Sequence, residues 1–189
     1  MSATLATLLR ELDPELRIGI YEVLESPALE SSNAWNNAGT GHAALCELNY
    51  TPEKSDGTIE ISKALDVNTE FDLSRQFWSY LVKTGVIPNP RQFIHPVPHL
   101  SFVHGERNVD YLRRRFEVLS AHHCYSGMEF SQDAKQIEQW VPLVMEGRSP
   151  SIPVAATRML GGTDVDFGAL THLLLATQPE VHCQRRVQD

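Results

Sequence analysis

Residues Gly39-Thr40-Gly41-His42-Ala43-Ala44 spell G-x-G-x-x-A, the string that lets backbone approach a pyrophosphate in a dinucleotide-binding turn. That chemistry needs a strand feeding the glycines and a helix behind them, whose first amides hold the phosphate charge. The preceding residues, SSNAWNNA, form a polar loop rather than a strand. The string alone therefore makes no phosphate cradle, although its glycines still permit close approach to a flat ligand or another loop. Glu22 and Glu25 end an apolar run at residues 17–25. An acid at a strand end can accept hydrogen bonds from ribose hydroxyls, or it can be an ordinary surface acid.

Eight histidines are present, three of them (His95, His99, His104) within FIHPVPHLSFVHG, with His122 and His123 adjacent. His42 and His99 are the candidates for acid–base work. No H-E-x-x-H or similar spacing points to a metal site. Cys46, Cys124 and Cys183 are odd in number and far apart, which reads as isolated thiols rather than a disulfide framework or a zinc site.

The elements that must position these groups can be read from periodicity. Leu5, Leu8, Leu9 and Leu12 recur at helical spacing, and Asp13-Pro14 ends that helix. RIGIYEVLE reads as a buried strand, residues 26–40 as a loop, and HAALCEL as one or two helical turns. A longer helix is expected over residues 59–85, with Phe71, Phe77, Trp78, Tyr80 and Leu81 on its bulky face and Gly85 as C-cap. A proline-rich connector leads into a strand at HLSFVHG. Residues 108–120 form a helix with Val109, Leu112, Phe116 and Leu119 on one side. Arg113, Arg114 and Arg115 read as its solvated face. Ser131 or Asp133 caps a further short helix, and Asp164 or Asp166 caps the helix expected over residues 169–177, before a β-like VHCQRRVQ. The order helix, strand, mixed insertion, helix, strand gives an α/β fold with an inserted substrate-side layer.

The chain has 189 residues, with Lys+Arg 16 against Asp+Glu 24 and a net charge of −8. That balance excludes a general nucleic-acid binder, which needs a basic field. No apolar run approaches the roughly 20 residues of a membrane span. The N-terminus lacks the basic region and cleavage site of a secretory signal, so the expected location is cytoplasmic.

From ESSNAWNNAGTGHAALCELNYTPE onward, the sequence resembles the FAD-dependent malate:quinone oxidoreductase family. The similarity continues through DGTIEISKA, SRQFWSY, FIHPVPHLSFVHG, NVDYLRRRFEVL, MEFSQD, WVPLVMEGR, VAATR and GGTDVDFGAL. The resemblance implies oxidation of (S)-malate to oxaloacetate, with electrons passed through FAD to a membrane quinone in the citric acid cycle. It also implies a peripheral membrane protein at the cytoplasmic face of the inner membrane. By the same resemblance, Glu22 matches the ribose-binding acid. Ser31, Ser32, Asn36, Asn37, Gly39, Thr40 and Gly41 match the loop running past the flavin, with His42 beside it, and Val187 matches the residue near adenine. Malate carries two carboxylates and calls for cationic clamps, for which Arg148 and Arg158 are the candidates. His99 is the candidate for a substrate-side polar group.

The family opens with a strand and a glycine-rich turn leading into I-M-S-A-T-L, whereas this sequence starts at Met1-Ser2-Ala3-Thr4-Leu5. The resemblance therefore implies a partial FAD-binding Rossmann-like domain, truncated at both ends and lacking the pyrophosphate-binding turn. It divides into a flavin region (1–50), an inserted substrate-side region (51–160) and a return to the flavin domain (161–189). Weak or no FAD binding and little activity are expected of such a chain. The alternatives are a non-catalytic remnant or interaction module that associates through an exposed sheet edge, or one piece of a split flavoprotein.

Overall fold

The computed structural model describes residues 1–178 and 180–186. In chain order it contains α1 (Ser2–Leu12), β1 (Gly19–Tyr21), α2 (Ser62–Lys83), β2 (Ile94–Pro96), β3 (His99–His104), α3 (Glu106–Ser120) and β4 (Glu129–Ser131). Then follow α4 (Ala134–Trp140), α5 (Pro142–Met145), β5 (Val154–Met159), β6 (Thr163–Val165), α6 (Phe167–Leu175) and β7 (Glu180–His182). The fold is mixed α/β. The chain divides into two units: Met1–Thr40, Arg75–His95 and Asp164–Asp189 in the first, Gly41–Ser74 and Pro96–Thr163 in the second. Short strands β2 and β6 pair with each other. Among the described residues, no helix is long and apolar enough to cross a membrane.

In the first unit β1 and β7 run parallel, with Gly19 opposite Glu180 and Tyr21 opposite His182. The Tyr21 and His182 rings stack at 5.0 Å. Helix α1 forms as its spacing predicts and ends at Asp13, but it buries a different face. Ala3, Ala6 and Thr7 are its buried residues, and α1 packs on α6 through small side chains that let the two backbones approach. Leu5, Leu8 and Leu12 of the expected apolar stripe are 57%, 43% and 76% exposed. Strand β1 is likewise shorter than residues 17–25, and two of its three residues are exposed rather than buried. Gly85, at φ 83°, follows α2 in the left-handed conformation that a glycine C-cap supplies.

The second unit is built on the antiparallel order β3-β5-β4. Its central strand β5 carries four buried residues in a row because both its faces are covered. On one face Ala155 packs with Val103, Val109 and Leu112, the last two from α3. On the other, Val154 and Ala156 pack with Ile137 of α4, flanked by Phe102, Trp140 and Met145. Asp133 caps α4 by accepting the Lys135 N–H at 3.0 Å. HAALCEL is not helical. Its residues form an irregular bend followed by a 3₁₀ turn at Leu48–Tyr50, and Ala44 sits at φ 54°.

That bend is held by side chains, and this overturns the reading of the three arginines as a solvated face. Arg115 is fully buried, because it lies three residues after Leu112 and four before Leu119 and so shares their stripe. Its Nε donates to Thr51 Oγ1 at 2.9 Å, and its Nη2 donates to the carbonyls of Ala44 and Leu45 at 3.4 and 3.5 Å. Asn68 of α2 donates to the Ala43 carbonyl at 2.9 Å, and Ser101 of β3 to the Cys46 carbonyl at 2.8 Å. Four consecutive carbonyls are thus captured by three elements. Arg114, by contrast, pairs near the surface with Glu53 and Asp110, and Arg113 with Asp110 and Gln132.

Truncating Arg115 strips these carbonyls of their donors inside a core. Arg115→Ala is expected to cost about 3 kcal/mol of stability in urea unfolding. Arg113→Ala at the surface stays within about 0.5 kcal/mol.

Candidate functional site

In parallel arrangements, ligands collect beyond the carboxyl ends of the strands. A cleft of about 170 Å³ lies there in the first unit, lined by Met1, Ser2, Tyr21, Glu22, Ser31 and Ser32 among others. Glu22 directly follows β1, and its Oε1 accepts the Leu24 N–H at 2.9 Å. The Glu22 amide donates to the His182 carbonyl at 2.9 Å, which fixes the acid at the strand end. No side chain caps the N-terminus of α1 at the rim of this cleft, so its first amides present partial positive charge. An acceptor carboxylate beside free helix amides suits a ligand with hydroxyls and an anionic group. Glu25 is exposed.

The loop over residues 26–40 braces itself. Asn36 Nδ2 donates to the Glu30 carbonyl and Asn37 Nδ2 to the Ser31 carbonyl, at 3.1 and 3.0 Å. Asn37 Oδ1 accepts the Gly39 N–H at 2.8 Å. Gly168 lets α6 meet this loop, since a Cβ there would lie 3.0 Å from the Ser32 carbonyl. Gly39 sits at φ 68°, and a Cβ on it would collide with Asp164 Oδ1 and lie 2.9 Å from the Val165 carbonyl. Thr40 bridges to Asp164. A second cleft of about 260 Å³ is lined by Asn37, Gly39, His95, Asp164 and Asp166 among others. Asp166 caps α6 by accepting the Ala169 N–H at 2.8 Å.

The second unit gathers another set. Gly41 donates its N–H to the Thr163 carbonyl at 2.8 Å, and a Cβ on Gly41 would collide with Thr163 Oγ1. His99 Nε2 also meets the Thr163 carbonyl, at 3.0 Å. A carbonyl only accepts, so Nε2 donates in this contact, which leaves Nδ1 as the ring's other polar atom. That Nδ1 is buried with no partner among the described residues. Gly162 makes room for the ring, because a Cβ there would collide with it. His42 is exposed.

Arg158 Nε and Nη2 both bond Glu129 Oε2, at 2.7 and 2.6 Å, and its guanidinium lies over the Trp140 ring at 4.5 Å. Arg148 Nε donates to the Val144 carbonyl at 2.5 Å and stacks over Phe102 at 4.5 Å. Val187 lies outside the described residues. Sequence reasoning missed the Thr163 carbonyl as the joint acceptor of Gly41 and His99. The signal was GGTDVDFG, where the sequence offered a helix cap at Asp164 or Asp166 and no acceptor at Thr163. Among the described residues, no group of three or more His, Cys, Asp or Glu is arranged to hold a metal ion.

The strand-end acid, the uncapped helix and the glycine-bearing loop define a mixed α/β protein with a cleft at the carboxyl end of its parallel pair. The family described as Malate:quinone oxidoreductase (Mqo) matches residues 1–189. A Bordetella avium (strain 197N) protein named "Probable malate:quinone oxidoreductase" is 63% identical over 194 residues, covering 100% of this chain and 39% of its own length. One of the same name from Bradyrhizobium diazoefficiens is 64% identical over 182 residues, covering 95% of this chain and 36% of its own. A Halalkalibacterium halodurans protein of that name is 56% identical over 193 residues, covering 100% and 39%. The chain belongs to the malate:quinone oxidoreductase family and spans 39% or less of the length of these curated relatives.

All three cysteines are free. Burial, reinforced by the neighbouring Glu47 carboxylate, pushes the Cys46 thiol up from 9.0 to about 11. Only the thiolate reacts with iodoacetamide. At pH 8 Cys46 is expected to alkylate roughly 100-fold more slowly in the folded chain than in urea, as read by peptide mass spectrometry.

Proposed function

We propose that this chain is the flavin- and substrate-contacting portion of an FAD-dependent enzyme that oxidises (S)-malate to oxaloacetate and delivers the electrons to a quinone. The observation that carries this reading is family membership over residues 1–189, combined with a strand-end acid facing an uncapped helix N-terminus. When bound, FAD supplies a hydride acceptor for malate C2 and a donor of two electrons to the quinone. Malate loses two electrons and two protons, and a quinone that gains both becomes the quinol.

The residues present fit the cofactor. Glu22 holds a ribose through carboxylate–hydroxyl hydrogen bonds, and the first amides of α1 face its phosphate charge. Ser31, Ser32, Asn36 and Asn37 brace the loop, and Gly39, Thr40 and Gly41 bring its backbone close to the flavin, with His42 following. In this reading residues 1–50 and 161–189 are the flavin side and residues 51–160 the substrate side. His99 Nδ1 accepts the malate hydroxyl proton, its ring held in place by the Thr163 carbonyl. Arg148 and Arg158 serve as carboxylate clamps, which for Arg158 means exchanging Glu129 for substrate. A lipid-soluble acceptor calls for a peripheral position at the membrane, on the cytoplasmic face of the inner membrane.

One observation favours a second reading, an interaction module. The Leu5, Leu8 and Leu12 stripe stands exposed, and β1 has β7 as its only strand neighbour among the described residues. Sedimentation separates the two, since a monodisperse monomer counts against the module.

Flavin fluorescence titration tests the main reading. Weak but saturable FAD binding is expected, and Glu22→Ala should raise the apparent Kd at least about tenfold by removing a charged acceptor. A chain that shows no saturable binding at millimolar FAD overturns the flavin assignment.

A further inference from the structure

One cleft of the first unit lies where three helices end. Arg10 and Glu11 in the last turn of α1 line it, with Val86 just beyond α2 and with Thr177 and Gln178 just beyond α6. Its volume is about 280 Å³, and it shares no lining residue with the cleft beside Glu22. A helix C-terminus carries partial negative charge, so three of them together favour a positively charged group.

A buried acceptor stands among these helix ends. Gln178 is 9% exposed, and its Oε1 has no partner among the described residues. Counting hydrogens fixes which way the amide points. Thr7 Oγ1 donates its hydrogen to the Ala3 carbonyl at 2.9 Å, and Thr177 Oγ1 donates its own to the Leu174 carbonyl at 2.8 Å. Both hydroxyls can then only accept, and Gln178 Nε2 donates to them at 3.4 and 3.3 Å. Oε1 is therefore the end of the amide that calls for a donor.

Arg10 and Glu11 add one charge of each sign. Arg10 Nη1 donates to the Thr177 carbonyl at 3.1 Å, which engages one N–H of a guanidinium that carries several. Glu11 Oε2 accepts the Tyr80 O–H at 2.6 Å. A carboxylate accepts through both oxygens, so Oε1 remains for a second donor. Adjacent residues of a helix point about 100° apart and do not face each other, which keeps the two charges separate. Pro14 and Val86 supply apolar wall. A simple cation would meet Arg10, and a simple anion would meet Glu11 and the helix ends. A zwitterion answers both charges at once. Malate, with two carboxylates and no ammonium, is a poor complement.

We propose that this cleft binds a free aliphatic α-amino acid. Its ammonium group donates to Glu11 Oε1 and Gln178 Oε1, its carboxylate accepts from Arg10, and its side chain lies against Pro14 and Val86. The volume falls just below the roughly 300–1,000 Å³ of pockets for drug-sized ligands, which suits a single amino acid. The site stands on its own residues and does not depend on the flavin reading.

L-Leucine is the probe. It is titrated into the isotope-labelled chain while NMR follows the Gln178 side-chain amide resonances, assigned by their absence in Gln178→Met. Saturable shifts with an apparent Kd of about 1 mM are expected for a ligand of this size. Glu11→Gln keeps an acceptor for Tyr80 and removes the charge. It and Arg10→Gln should each raise the Kd at least about tenfold, with thermal unfolding confirming that both variants fold. Isoamylamine, which lacks the carboxylate, and isocaproate, which lacks the ammonium group, should each bind at least about tenfold more weakly than leucine. Shifts that rise linearly without saturating overturn the site, as does a Kd unchanged in Glu11→Gln. Binding of isoamylamine or of isocaproate as tight as that of leucine overturns the amino-acid assignment.

Discussion

A guanidinium removed from water must find acceptors, because a buried cation with open N–H groups costs several kcal/mol. Arg115 meets this demand in part: Nε and Nη2 bond Thr51 and the backbone of a bend that is neither helix nor strand, while Nη1 is buried with no hydrogen-bond partner among the described residues. The dependence is mutual. The bend cannot pair its own carbonyls by regular structure, and the cation has no carboxylate bonded to it among the described residues. Burial accordingly lowers the Arg115 pKa from its ordinary value. Asn68 and Ser101 take the neighbouring carbonyls, so α2, α3 and β3 converge on residues 43–46. The glycines at 39 and 41 lead directly into a segment held in this way. A loop asked to pass close to a ligand needs such fixed backbone more than it needs flexibility.

The helices were largely legible in the sequence because their signals are local. Asp13-Pro14, Gly85, Asp133 and Asp166 mark boundaries that the structure shows, each through a backbone or capping effect of a single residue. Which face a helix buries was not legible where it depends on a partner. In α1 the leucines draw the eye, yet α6 packs on Ala3, Ala6 and Thr7, since small residues permit close approach. In α3 the run of three arginines reads as one solvated patch, while a rotation of about 100° per residue carries the third onto the Leu112 and Leu119 stripe. HAALCEL has helical composition, but side chains distant in sequence claim its carbonyls and prevent the ladder from forming.

Of the site, Glu22 and the glycine-bearing loop were named from the sequence, and the structure shows the means by which each is held. Strand pairing to β7 fixes Glu22, and Asn37 ties off the loop at Gly39. The role of GGTDVDFG was opaque because it lies in backbone atoms. The Thr163 carbonyl receives both the Gly41 amide and the His99 ring, and no residue type at 163 advertises a carbonyl. Gly162 matters by what it lacks, as a side chain there would occupy the space of the imidazole.

Strand β5 limits how fast the second unit can open to solvent. It is central in its three-stranded sheet and covered on both faces, so its amides reach solvent only when the sheet parts and one of the packed helices leaves. Such positions exchange hydrogen through the largest openings a domain undergoes, whereas edge and terminal amides exchange through local fraying. Ala155 and Ala156 then act as internal clocks of the second unit. Their exchange reports the free energy of its global opening, undisturbed by events in the loops.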